Sequence, residues 1–82
     1  MTRQMAVATA RKALPTYGAP SAARPRSAEL QWVELPERAA TQPGRVRDTR
    51  AWVIPFSFQG RPIIELAIED ATGKVVRDQR FM

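Results

Sequence analysis

Alternation of large apolar side chains with small or polar ones is the strongest pattern in this chain. From Ala51 to Phe58 the even positions are Trp52, Ile54, Phe56 and Phe58, with Ala51, Val53, Pro55 and Ser57 between them. A period of two places the four large residues on one face of a β-strand. The pattern returns from Ile63 to Asp70, where Ile64, Leu66 and Ile68 share one face and Glu65 and Glu69 the other. Lys74 to Phe81 reads as a third strand. An earlier candidate, Glu29 to Leu35, sets Leu30 and Trp32 against Gln31 and Val33 and ends at Pro36. Glu37 to Gln42 has room for one helical turn before Pro43-Gly44 redirects the chain. The expected fold is mainly β: a small antiparallel meander of three to four strands.

Register follows from burial, because a slip of one residue reverses both faces. A three-residue loop at 59–61 opposes Phe56 to Ile64, Ile54 to Leu66 and Trp52 to Ile68. A two-residue loop opposes Ile54 to Glu65, so the longer loop is expected. Asp70-Ala71-Thr72-Gly73 has the form of a type I turn with positive φ at Gly73. A loop of residues 71–73 opposes Ile68 to Val76 and Ala67 to Arg77, and brings Arg77 near Glu65 and Glu69 on the outer face. The same register turns Asp78 and Arg80 toward the apolar face, which requires a rim position or a bulge. Pro55 cannot donate to a ladder, so its strand is expected at an edge or bulged there.

The apolar face needs a cover. Trp52, Ile54, Phe56, Phe58, Ile64, Leu66 and Ile68 each contribute about 1.5–3 kcal/mol when buried, and a sheet this small does not stand with them wet. Leu30, Trp32 and Leu35 cover part of it, and there is no long amphipathic helix for the rest. Three solutions exist: closure into a small barrel, docking of an N-terminal helix, or a second chain. The expectation is a second chain, in a homo-oligomer or with a larger protein partner.

The N-terminal third changes the picture through charge. Residues 1–27 hold five bases (Arg3, Arg11, Lys12, Arg24, Arg26) and no acid, whereas residues 28–82 hold eight bases and eight acids. The net charge of +5 therefore resides in the arm. Thr2 to Leu14 suits a short helix, with Thr2 as N-cap and Pro15 as terminator; Val7, Ala10 and Leu14 give it a thin apolar stripe. Residues 15–27 carry three prolines and a glycine and read as a linker in which Tyr17 is the one aromatic residue. The expected division is a flexible, disordered basic arm over 1–27, with a possible short helix at 2–14, and a β domain over 28–82.

Composition removes several chemistries. There is no cysteine and no histidine, so thiolate metal sites, thiol nucleophiles and the commonest general base are absent. The four glycines are scattered at turns rather than gathered into a phosphate loop, and the carboxylates lack calcium-loop spacing. Glu65, Glu69, Asp70 and Asp78 read as solvated groups. The expectation is a protein without catalytic residues, metal, cofactor or small-molecule substrate. No run of about 18 apolar residues is present to span a bilayer. A cytoplasmic location is the default, although an acid-free basic start also fits a transit peptide.

Binding remains. The expected function is contact with a protein, through the sheet face, an edge strand bearing Trp32 or Pro55, or an arm that orders on its partner. The rival is nucleic acid, held by the arm together with Arg45, Arg47 and Arg50, which precede Trp52. The candidate contact residues are Arg3, Arg11, Lys12, Arg24, Arg26, Arg45, Arg47, Arg50, Trp32 and Trp52.

Overall fold

A computed structural model describes residues 1–36 and 46–81, with backbone alone for 35, 36, 46 and 47. The helical turn expected at 37–42 and the turn at Pro43-Gly44 lie outside the described residues. Helix α1 spans Arg3–Ala13, and a 3₁₀ turn, Leu14–Tyr17, follows it. The strands are β1 (Arg24–Pro25), β2 (Glu29–Pro36), β3 (Val46–Phe58), β4 (Arg61–Glu69) and β5 (Val75–Arg80). All pair antiparallel in one sheet, in the order β1-β3-β4-β5. β2 shares with β1 the edge of β3 that β4 leaves open.

The aromatic face is covered from within the chain. Ala6, Ala10 and Leu14 recur every fourth residue on one side of the helical segment and are fully buried. They join Ala23, Ile54, Phe56, Ile64, Leu66 and Ile68 in one cluster, with Met1, Val7, Tyr17, Trp52 and Phe58 at its margin. The expected disordered arm is thus an ordered helix docked on the sheet. The sheet already supplies the bulk, so the helix brings alanines, which let its backbone approach closely. Thr2 caps it by accepting a hydrogen bond from the Met5 N–H at 3.2 Å. Gly18, with φ of 75°, ends the 3₁₀ turn. The supposed linker also pairs: Arg24 stands opposite Ser57 and Pro25 opposite Phe56.

The central register is the expected one: Phe56 opposite Ile64, Ile54 opposite Leu66, Trp52 opposite Ile68. Each hairpin reaches it differently. The first turn has two residues rather than three, Gln59 (φ 53°) and Gly60 (φ 76°), with Phe58 paired to Arg61. Positive φ at both positions gives the turn whose twist matches the strands it joins. An extra residue on β4, Ile63, then restores the pairing beside Pro62, which has no N–H to offer. In the second hairpin Glu69 N–H donates to Lys74 C=O, leaving four residues in the turn rather than three. Val76 is the extra residue there, between the pairs Ile68–Val75 and Ala67–Arg77. This bulge sends Val75 to the helix-side core and Val76 to the opposite face. Asp78 and Arg80 pair with Leu66 and Ile64, as the expected register requires, but stay exposed, because β5 is the last strand.

Pro55 lies in neither an edge strand nor a bulge. β3 is central, and the carbonyl of Pro55 accepts from Arg26 N–H at 2.8 Å on the side shared by β1 and β2. A residue's N–H and C=O point the same way in an antiparallel strand, so the missing donor falls in the gap where β2 has ended and β1 begins. The β3–β4 ladder is untouched. The outer face is also less polar than expected, since Val33, Ala51, Val53 and Ala67 form a second buried cluster.

A docked helix and a free one respond differently to truncation of Leu14. Leu14→Ala removes a fully buried side chain and is expected to destabilise by about 2–5 kcal/mol. Lys12→Ala, on the exposed side of α1, stays within about 0.5 kcal/mol. Urea unfolding followed by circular dichroism measures both; equal midpoints would show the helix undocked.

Candidate binding surfaces

The sequence-selected residues do not gather at one site. They fall into three groups, set by which part of the fold carries them. Arg3, Arg11 and Lys12 stand exposed on α1, Arg3 in its first turn and Arg11 and Lys12 in its last. Arg24 and Arg26 line a shallow concavity with Ala22, Ser57, Phe58, Gln59 and Gly60. Phe56 belongs to the helix-side core, so its neighbour Ser57, and Arg24 opposite it, face away from α1.

Trp32 and Arg50 form the third group, toward the other end of β3. Seven residues separate Arg50 from Ser57, about 23 Å along a strand at 3.3 Å per residue. Trp32 lies opposite Arg50 across the β2–β3 pair, and the guanidinium carbon sits 5.8 Å from the ring centroid. Arg47 is paired by its backbone to Leu35, and Arg45 lies outside the described residues. Trp32 does not cover the aromatic face as expected; it is 70% exposed. The cause is geometric. β4 last pairs with β3 at Ala51–Glu69, so along the stretch of β3 from 46 to 50 the paired strand among the described residues is β2.

Trp52 is not a free aromatic surface. It is half-buried against the core, and its indole N–H donates to Asp70 Oδ1 at 3.0 Å. The N-terminal ammonium donates to the same oxygen at 3.3 Å. The indole bond first, and the ammonium second, hold the Asp70 carboxyl below its usual range, with Arg50 adding a weaker pull; desolvation opposes them. Asp70 thus ties the start of the helical segment to β3 and the β4–β5 turn.

Glu69, expected on a solvated face, is nearly buried. Thr49 Oγ1 donates to its Oε2 at 2.6 Å and Thr72 Oγ1 to its Oε1 at 2.7 Å. This carboxylate joins β3, β4 and the following turn, a task that explains its burial. On the outer face Arg77 lies 3.8 Å from Glu65, the pair the register implied, worth about 0.2–1 kcal/mol at such exposure. Among the described residues no group of acidic side chains is placed to hold a metal ion, and no helix is long and apolar enough to cross a membrane.

Sequence reasoning passed over Asp70 and Glu69 as anchors. Each precedes or opens a turn and each has a donor far along the chain, 18 residues away for Trp52 and 20 for Thr49. Only the β3–β4 register signals the pairing, by setting Trp52 beside Ile68 and Ala51 beside Glu69. The chain matches no known protein family, no curated protein and no solved structure.

The Asp70 contacts give a pH dependence with a definite sign. A carboxyl whose pKa is lower in the folded state stabilises the fold above the unfolded value, about 3.9, and loses that contribution as pH falls through the folded value. Wild type is therefore expected to unfold at higher urea than Asp70→Asn at pH 7, with the gap closing well below the ordinary carboxylate range. Urea midpoints of the two proteins along a pH series check this. A gap that persists undiminished in strong acid would contradict the assignment.

Proposed function

We propose that this chain is a non-catalytic binding protein that engages a protein partner through the open edge of β2 and the indole of Trp32. One observation carries the reading: a tryptophan 70% exposed, on an eight-residue strand with one edge on β3 and the other unpaired among the described residues. An aromatic ring of this size hides 150–250 Å² when covered, and tryptophan and arginine dominate the energetic centres of protein interfaces. An unpaired strand edge also offers a row of backbone donors and acceptors to an extended segment.

The other free edge contrasts with it. β5 carries Arg77, Asp78, Gln79 and Arg80, all exposed, and charged side chains along an edge discourage pairing. β2 has Gln31 and Trp32 at its middle, with acids only at Glu29 and Glu34. Docking of α1 removes the need for a second chain to shelter the aromatic face, so the partner belongs at the ribbon. It is a larger protein or a second copy of the chain, and the reading places the encounter in the cytoplasm.

Trp32→Ala is expected to weaken the partner complex by about 2 kcal/mol or more, roughly thirtyfold, with an unchanged circular dichroism spectrum and unfolding midpoint. A photo-crosslinker at position 31 should capture the same partner, and one at position 79 should not. Sedimentation velocity separates the two partners, since a homo-oligomer of the wild type would dissociate in the variant. Full affinity in Trp32→Ala would refute the proposal.

A further inference from the structure

We infer that the outer face of α1 is a docking surface for the phosphate backbone of a nucleic acid, distinct from the Trp32 ribbon. Residues 3, 7 and 11 form one ridge of the helix and residues 4, 8 and 12 the adjacent one. Arg3 stands at one end, and Arg11 and Lys12 at the other, about 12 Å along the axis at 1.5 Å per residue. Gln4, Val7 and Ala8 fill the space between, and these six residues line one shallow depression. Low side chains between two cationic ends leave room for a phosphodiester backbone to lie across the helix.

The electrostatics have a single sign. All three cations are exposed and none forms an ion pair among the described residues. No acid occurs before Glu29, so nothing on this helix competes with an arriving anion. The cations also sit on a fixed support, because Ala6, Ala10 and Leu14, on the row next to residues 3, 7 and 11, are buried against the sheet. A polyanion releases counterions when such a surface binds it, whatever its sequence.

The same docking argues against a lipid surface. A helix that lies in a membrane interface buries an apolar face there, and the apolar side of α1 is already against the sheet. Met5, 55% exposed, is the one large apolar side chain it turns outward. No aromatic residue lies on α1, so the surface grips phosphate without reading bases, and binding is expected to be sequence-independent.

The experiment is fluorescence anisotropy of the full chain with labelled oligothymidine and a labelled mixed-sequence duplex across a salt series. Wild type should bind both, with affinity falling as salt rises. Replacing Arg3, Arg11 and Lys12 together by glutamine should weaken binding about tenfold or more at low salt and reduce the log–log salt slope by about 2–3. Its spectrum and unfolding midpoint should stay those of the wild type, so lost structure does not pass for lost contact. The double variant Arg24→Gln/Arg26→Gln and the single variant Trp32→Ala should bind as wild type, which separates this surface from the concavity beyond β1 and from the proposed protein contact. The inference is overturned by absent binding at low salt, by unchanged binding in the triple variant, or by an equal loss in the Arg24/Arg26 variant. Preferential capture by phosphatidylserine vesicles in competition with the oligonucleotides would also overturn it.

Discussion

The seating of Ala6, Ala10 and Leu14 on the aromatic face of the sheet is the contact on which the rest depends. Phe56, Ile54, Ile64, Leu66 and Ile68 are fully buried only because something covers them, and leaving that much apolar surface in water would forfeit most of the driving force for folding. The cover is minimal in side-chain volume. Three small or medium residues at intervals of four suffice, because the opposing surface is already rich in large side chains. The 3₁₀ turn extends the cover past the helix, and an Arg80 guanidinium bond to the Tyr17 carbonyl fastens that turn to β5.

Once that side of α1 faces the sheet, its remaining surface follows. Residues 3, 11 and 12 cannot turn inward without burying unpaired charge, which costs several kcal/mol per ion. The docking that completes the core therefore also fixes where the excess positive charge is displayed. Segment 18–26 is constrained in turn. It runs from the end of the 3₁₀ turn to β1, pairs with Ser57 and Phe56, and lays Arg24 and Arg26 on the side of the sheet away from α1. One basic arm thus becomes two basic patches on opposite faces.

Much of the sheet was legible in the order of residues, and the reason is burial. Alternation of Trp52, Ile54, Phe56 and Phe58 with smaller residues allows one orientation only, and opposing Ile64, Leu66 and Ile68 to them allows one register. Turn lengths were not legible at the same resolution. A loop one residue shorter or longer, with a compensating bulge at Ile63 or Val76, leaves the central pairs in place. The helix was visible as a helix, but its docking was not, because an alanine stripe carries little hydrophobic signal by itself. Its meaning comes from the bulk of the face it meets. The contact residues fared likewise: Arg3, Arg11 and Lys12 are exposed as their charge demands, whereas the tryptophans, both read as apolar-face residues and as contacts, divide, Trp52 packing against the core and Trp32 standing exposed. Each tryptophan is followed by a valine in an alternating strand, and the point at which β4 stops pairing with β3 separates the sheltered ring from the exposed one.

That stopping point gives β3 two working ends. From Ala51 to Phe58 it is the middle of the sheet, with β4 on one side, β1 and part of β2 on the other, and α1 above. From 46 to 50 its strand partner among the described residues is β2, and a two-stranded ribbon is at best marginally stable by itself. The ribbon is held at its root by bonds that do not depend on apolar packing: Asp70 N–H donates to the Arg50 carbonyl at 2.9 Å, and Thr49 bonds Glu69. Trp32 stands opposite Arg50 at these anchors, with the guanidinium over its ring. A partner strand added to the outer edge of β2 would widen the ribbon to three strands on the side of β3 away from β4. The helix face needs no such addition, since its cations are solvated and its backbone bonds are internal. The two surfaces therefore differ in what contact would do to them: occupation of the ribbon would order and stabilise it, while occupation of α1 would leave the fold as it is.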